Sequence, residues 1–230
     1  MEQGWTSHGR FADRREAGLA LARRLASTGY DPARTVVLAL PRGGVPVGFE
    51  VACALDVPLD VLVVRKLGFP GHAEFAMGAI ASGGVRVMND EIPPGALPPP
   101  EEVDRVVRSE HAELERRERE YRADRPMTPI AERVVLLVDD GLATGTTMRA
   151  AVRAVRQMKP ARIVVAVPVA SEEARDLVAS VADDLVCLRI PEPFRAVGLW
   201  YEDFPQTTDE EVRSLLATPT TGSSENRGGT

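Results

Sequence analysis

The sequence predicts an α/β domain with a mainly parallel central sheet, helices on its flanks and a small appended hood region. Three observations predict it. Several short apolar runs do not alternate with polar residues, as expected for strands covered on both faces. Stretches with helical spacing separate those runs, the order that produces parallel pairing. One run, residues 134–138, leads straight into two adjacent acids, Asp139 and Asp140, and then into a loop of small and hydroxyl-bearing residues.

In chain order, residues 14–28 have the spacing of an amphipathic helix packed on one side of the core. Residues 36–40 form a strand, residues 47–55 a helix, and residues 61–64 and 85–88 two further strands. Residues 91–100 contain five prolines and a glycine, which makes them a linker or turn. Residues 101–122 form a charged helical insertion, with favourable i,i+4 pairs such as Glu113–Arg117, Glu115–Arg119 and Glu118–Arg122. Its thin apolar stripe is Val103, Val107, Leu114 and Tyr121; docking on its own domain is the first reading and a homodimer contact the second. Strands follow at 134–138, 163–169 and 185–190, with helices at 148–158 and 172–181. Three regions result: an N-terminal segment and helix (1–30), the α/β domain (31–216) and a Thr/Ser/Gly-rich tail (217–230) expected to be disordered.

Composition narrows the function classes. With 230 residues, 44% of them hydrophobic, the chain can bury a sizeable core. A net charge of −6 gives no support for nucleic-acid binding. No apolar run is long enough to span a membrane, and residues 1–10 lack the apolar segment of a secretory signal. Cys53 and Cys187 sit in apolar contexts and read as reduced core residues of a cytoplasmic protein. Of the 28 basic residues only Lys66 and Lys159 are lysine, so a lysine stands out more than an arginine. Signatures of P-loop, dinucleotide and zinc-protease sites are missing.

The chemistry concentrates after strand 134–138. Two ionised carboxylates side by side repel, and burial makes the repulsion costlier, so Asp139 and Asp140 need a cation or a set of hydroxyls. A vicinal diol suits them because each carboxylate can accept a hydroxyl hydrogen. Ala143, Thr144, Gly145, Thr146 and Thr147 then offer backbone N–H groups and hydroxyls at the start of a helix, where anions bind. Gly145 allows an uncommon backbone conformation and a close approach to a ligand. Together these features point to a phosphorylated sugar.

The stretch from Val135 to Thr147 resembles the phosphoribosyl-diphosphate (PRPP) signature of type I phosphoribosyltransferases, with a departure at Gly141, where an aliphatic residue is usual. The resemblance implies that Asp139 and Asp140 hold the ribose hydroxyls and that residues 143–147 cradle the 5′-phosphate. Pro41-Arg42-Gly43-Gly44 after an early strand resembles the family's pyrophosphate loop, with Arg42 and the Gly43 and Gly44 amides as donors. Arg65 and Lys66, ahead of a Gly/Pro-rich stretch, resemble its flexible flap and would also contact pyrophosphate. Mg²⁺ is implied as cofactor, with Asp139 and Asp140 as its protein ligands.

The implied activity is transfer of the phosphoribosyl group from PRPP to a nitrogen acceptor, most simply a nucleobase, in nucleotide salvage. Ala143 stands where 6-oxopurine enzymes carry an acid, which argues against that design, whereas the Leu-Ala-Thr-Gly loop looks more like adenine enzymes. On that likeness Glu74 is the nearest counterpart of a catalytic acid/base. Phe194, Trp200 or Tyr201 would either stack on a base or close the core. A PRPP-sensing regulator without transferase chemistry, or action on another phosphosugar, are the alternative readings.

Overall fold

The computed structural model describes residues 9–89, 92–123 and 125–222, with Ala73, Glu74 and Pro94 described at the backbone only. Five parallel strands form the central sheet in the order β2-β1-β6-β7-β8. These are β1 (Thr35–Ala39), β2 (Leu59–Val61), β6 (Val134–Val138), β7 (Arg162–Val169) and β8 (Asp184–Arg189). A second, antiparallel sheet comes after β2 in the chain: β3 (Val64–Phe69), β4 (His72–Ala81) and β5 (Val85–Met88). The helices are α1 (Arg14–Ala26), α2 (Gly44–Leu55), α3 (Pro100–Arg122), α4 (Thr146–Gln157), α5 (Glu172–Ala179) and α6 (Asp209–Ala217).

The unbroken apolar runs divide cleanly between two faces because successive strand residues point to opposite sides. Val36, Leu38, Val135, Leu137, Ile163 and Val165 pack with Met148, Val152 and Val155 of α4 and Val178 of α5. Their neighbours Val37, Leu136, Val138, Val164 and Ala166 pack with Leu21 and Leu25 of α1 and Val47 and Val51 of α2. Each face is therefore covered, and the C-terminal tips of β1 and β6, paired from Thr35↔Val134 to Ala39↔Val138, are left side by side for ligands.

The strand expected at 61–64 is a junction. Leu62 N–H still donates to Ala39 O of β1, but Val63 N–H donates to the Ser82 hydroxyl, and the chain leaves the parallel sheet there. It then turns back on itself as a β-hairpin, with Arg65 to Phe69 inside β3 and only Pro70 and Gly71 as the turn.

The apolar stripe of α3 docks on its own domain. Val103, Leu114 and Tyr121 are buried with Leu67, Met77 and Ile80 of the hairpin sheet and with Val212 and Leu216 of α6. The C-terminal end of α3 is fastened by a buried ion pair: Arg122 Nε lies 2.8 Å from Asp60 Oδ1, and Asp60 Oδ2 accepts Thr128 N–H at 2.7 Å. Along α3 the pairs Glu113–Arg117 and Glu115–Arg119 form towards solvent, and Glu118 pairs with the buried Arg122. In the C-terminal tail, residues 223–230 lie outside the described residues, while Thr220 is buried and donates to Val57 O.

Candidate functional site

Because β1 and β6 are adjacent, the two loops that leave them meet. Leu40 N–H donates to Val138 O, and the Pro41-Arg42-Gly43-Gly44 turn, whose Pro41–Arg42 peptide is cis, lies against the acids. The fit depends on the missing side chains. A Cβ on Gly43 would stand 2.0 Å from Asp140 Oδ2, and one on Gly44 would stand 2.7 Å from Val138 O and 2.9 Å from Asp139 Cα. Gly43-Gly44 thus brings the N-terminus of α2, which begins at Gly44 and not at residue 47 as the sequence suggested, up to the acid pair.

The acids are poised by their surroundings. Asp139 Oδ1 accepts Asp140 N–H at 2.8 Å. Burial, together with the neighbouring Asp140 charge, pushes the Asp139 carboxyl well above the usual carboxylate range. Burial also raises Asp140, and the Arg14 guanidinium opposes the rise. Arg14 Nε sits 2.8 Å from Asp140 Oδ2, while its Nη1 donates to Pro205 O and its guanidinium lies 3.7 Å from the Phe204 ring centroid. Tyr201 completes the arrangement by donating its hydroxyl to Asp140 O at 2.6 Å. Sequence reasoning missed Arg14, whose partner is 126 positions away; no local pattern could have exposed it.

Ala143 to Thr147 fold as a tight loop leading into the start of α4. Gly145 caps the helix at φ 71, in the left-handed region that favours glycine, and a Cβ there would meet Ala174 O at 3.0 Å. Ser171 anchors the loop from below: its hydroxyl donates to Ala143 O and accepts Ala174 N–H, tying the loop to the start of α5. Ala143, Thr144 and Thr147 remain exposed at the rim.

The other candidate residues divide. Arg42 lies near the acid pair's loop with Nη1 3.8 Å from Asp209 Oδ1. Arg65 and Lys66 are strand neighbours and so face opposite ways. Arg65 points to α3, where its guanidinium pairs with Glu110 at 2.7 Å, whereas Lys66 lines a cavity of about 470 Å³ together with Thr144 and Thr146. The structure therefore brings Lys66, and not Arg65, to the loop at residues 143–147. Glu74 belongs to β4, and its side chain lies outside the described residues.

The hood is built from an early and a late segment of the chain. Phe11 pairs in a parallel bridge with Tyr201, and Glu202 N–H and Asp203 N–H donate to Phe11 O and Ala12 O. Phe11, Tyr201 and Phe204 cluster, with ring centroids 5.6 and 4.8 Å from Tyr201, so Tyr201 closes the core instead of offering a stacking face. Phe194 and Trp200 pack on the same cluster. Gly141, the departure in the signature, is explained here: a Cβ on it would stand 2.6 Å from Val197 Cγ1, so the hood's Val197 fills the space of an aliphatic side chain at 141.

The family model for a phosphoribosyl transferase domain matches residues 14–199. A crystal structure, that of TT1426 from Thermus thermophilus, is similar over 90% of this chain and 97% of that one, at 45% identity and a TM-score of 0.81. Proteins of Mycobacterium tuberculosis strains H37Rv and CDC 1551, named provisionally as phosphoribosyl transferases, are each 46% identical over 206 residues. Those residues are 90% of this chain and 46% of theirs, so the chain spans about half the length of the curated relatives it matches.

Proposed function

The chain belongs to the phosphoribosyltransferase family, and on that premise we propose that it transfers the 5-phosphoribosyl group of PRPP to a nitrogen acceptor, a nucleobase, in nucleotide salvage. The observation that carries the reading is the convergence of three elements at the tips of β1 and β6: the Asp139–Asp140 pair, the Gly43-Gly44 helix start and the Ala143–Thr147 loop.

In this reading Asp139 and Asp140 accept the ribose 2′- and 3′-hydroxyls. The loop amides and the hydroxyls of Thr144, Thr146 and Thr147 hold the 5′-phosphate. Arg42, the Gly43 amide and Lys66 take the pyrophosphate; the Gly44 N–H, expected to join them, is instead held by Leu40 O at 3.0 Å. The C1–O bond breaks with its electron pair leaving on pyrophosphate, the acceptor nitrogen forms the new bond to C1, and the acceptor's N–H proton is released. The residues act by positioning and by stabilising charge. Mg²⁺ is compatible with the donor set, since the two carboxylates are hard oxygen ligands whose mutual repulsion a cation relieves. Held by Asp139 and Asp140, it would supply positive charge to offset that of the departing pyrophosphate.

The test is a calorimetric titration with PRPP, with and without Mg²⁺, on the wild type and Asp140→Asn, followed by a nucleobase screen for pyrophosphate release. Binding abolished by the substitution, plus release with one base, supports the enzyme. Binding without release from any base identifies a PRPP sensor, and no binding removes both.

A further inference from the structure

Helix α6 lies beyond residues 14–199, the span shared with the family, yet it reaches the turn that carries Arg42. Its apolar face sets it there. Val212 and Leu216 are buried in one cluster with Ala39 and Val45, which flank that turn in the chain, and with Leu114 and Tyr121 of α3. Polar ties fix the helix further: Arg213 Nη1 lies 3.1 Å from Glu120 Oε1 of α3, and Arg125 Nη2 donates to Leu216 O at 3.1 Å. The Thr208 hydroxyl accepts Glu211 N–H at 3.1 Å and caps the first turn. Asp209, the first residue of the helix, therefore stands on a firmly held element.

The Asp209 carboxylate stands between two partners. Its Oδ1 accepts the Tyr121 hydroxyl at 2.7 Å and lies 3.8 Å from Arg42 Nη1. Tyr121 is buried, and burial, with the hydrogen bond and charge of Asp209, pushes its phenol well above the usual range, so it stays a donor at neutral pH. The backbone of Arg42 is fixed as well, since its carbonyl accepts Val45 N–H at 3.1 Å. What remains to be set is the direction of a long, partly exposed side chain that is costly to order. A partly exposed pair at this separation adds little stability. It still restricts the guanidinium, a planar fork whose other N–H groups point elsewhere when Nη1 is engaged.

We propose that Asp209, itself held by Tyr121, is a positioning residue for the pyrophosphate end of the site: it anchors one edge of the Arg42 guanidinium so that the rest of the fork is presented to pyrophosphate. The role rests on the phosphoribosyl reading of the Pro41-Arg42-Gly43-Gly44 turn. Its sign is opposite to that of simple charge counting. Asp209 is an anion near a site for an anion, so Coulomb's law alone has pyrophosphate bind more tightly when that charge is deleted. A carboxylate that orients Arg42 has the reverse effect, and its deletion loosens binding. Asp209→Asn separates the two, because it keeps an oxygen for the Tyr121 hydroxyl and removes the charge that acts on Arg42 across 3.8 Å.

The experiment is a calorimetric titration of the full chain with inorganic pyrophosphate, PRPP and ribose 5-phosphate, each with Mg²⁺, on the wild type, Asp209→Asn, Tyr121→Phe, Arg42→Gln and the Asp209→Asn, Arg42→Gln double variant. Expected in Asp209→Asn is a loss of about fivefold for pyrophosphate and PRPP, with ribose 5-phosphate binding unchanged because that ligand has no pyrophosphate for Arg42 to hold. Tyr121→Phe gives a smaller loss in the same direction. In the Arg42→Gln background Asp209→Asn costs nothing further, the non-additivity of a residue that acts through Arg42. Tighter or unchanged pyrophosphate and PRPP binding in Asp209→Asn would overturn the proposal. A loss of equal size with ribose 5-phosphate, or in the Arg42→Gln background, would overturn it too, as a general effect on the fold. If pyrophosphate follows the expected pattern while PRPP does not bind, the positioning role stands and the transferase reading falls. If the wild type binds PRPP and Asp209→Asn matches it, the reading stands and the role falls; a wild type that binds neither ligand removes both.

Discussion

Arg14 in the first turn of α1 holds Asp140 across 126 positions of sequence, Nε to Oδ2 at 2.8 Å, with side chains only 11% and 15% exposed. The contact makes an N-terminal helix part of the acid site. Arg14→Gln removes the charge that opposes burial at Asp140, so the carboxyl's neutral form gains. PRPP affinity is expected to fall about tenfold, and the pH at which binding sets in to move upward. The stability cost is about 1–3 kcal/mol. Titrations between pH 5 and 8 and urea unfolding measure all three, and an unshifted pH profile would sink this role for Arg14.

Asp139 makes the opposite trade. Its folded-state pKa is raised by burial and by Asp140, so between the ordinary aspartate range and the raised value the folded protein binds more protons than the unfolded chain. Stability contributed at low pH is lost as pH rises through that window. Asp139→Asn keeps an oxygen to accept Asp140 N–H and removes the repulsion. It is expected to raise the melting temperature at neutral pH, by ~2–4 °C for each kcal/mol gained, while lowering PRPP affinity. A lower melting temperature would contradict the account.

Gly43→Ala places a methyl where Asp140 Oδ2 now stands, 2.0 Å from the new atom. The carboxylate must turn away or the turn must open. Loss of PRPP binding with a stability cost of about 1–3 kcal/mol is expected. A calorimetric titration giving wild-type affinity would show that the close packing is dispensable.

Gly141 and Val197 should behave as one unit. Gly141→Ala drives a Cβ to 2.6 Å from Val197 Cγ1 and is expected to destabilise by about 1–3 kcal/mol. Val197→Ala costs less in that background than alone. Four proteins in a denaturant-based double-mutant cycle give the coupling, and additivity would refute the contact.

Lys66→Ala is expected to weaken PRPP binding, whereas Arg65→Ala, which loses a pairing to Glu110 on α3, leaves affinity unchanged. Parallel titrations decide it: equal losses in both would mean that the hairpin rearranges on binding.

Much of the frame was legible in the sequence because burial on both faces writes itself as unbroken apolar runs, as in residues 134–138 and 163–169. The acid pair and its loop were legible because their chemistry is local. The hairpin was not: Arg65, Lys66, Gly68 and Pro70 look like a mobile loop, and β4 is rich in alanine, which has little β propensity. Helix α6 lay unread although Thr208 and Glu211 carry a capping pattern, Glu211 N–H donating to the Thr208 hydroxyl. Arg14 and Tyr201 reach Asp140 only through tertiary structure, and Val197 shows why Gly141 is tolerated.

The clamp of an early and a late segment on Asp140 has a consequence for the order in which the protein is assembled. During synthesis the strands that frame the acids emerge long before Tyr201 and Pro205, and those late residues close around an arginine made well before either strand. The surroundings of the acid pair are thus completed only late in the chain. A chain stalled or truncated before residue 201 holds its acids without the Tyr201 hydroxyl on Asp140 O and without the Pro205 carbonyl that holds Arg14 against Asp140.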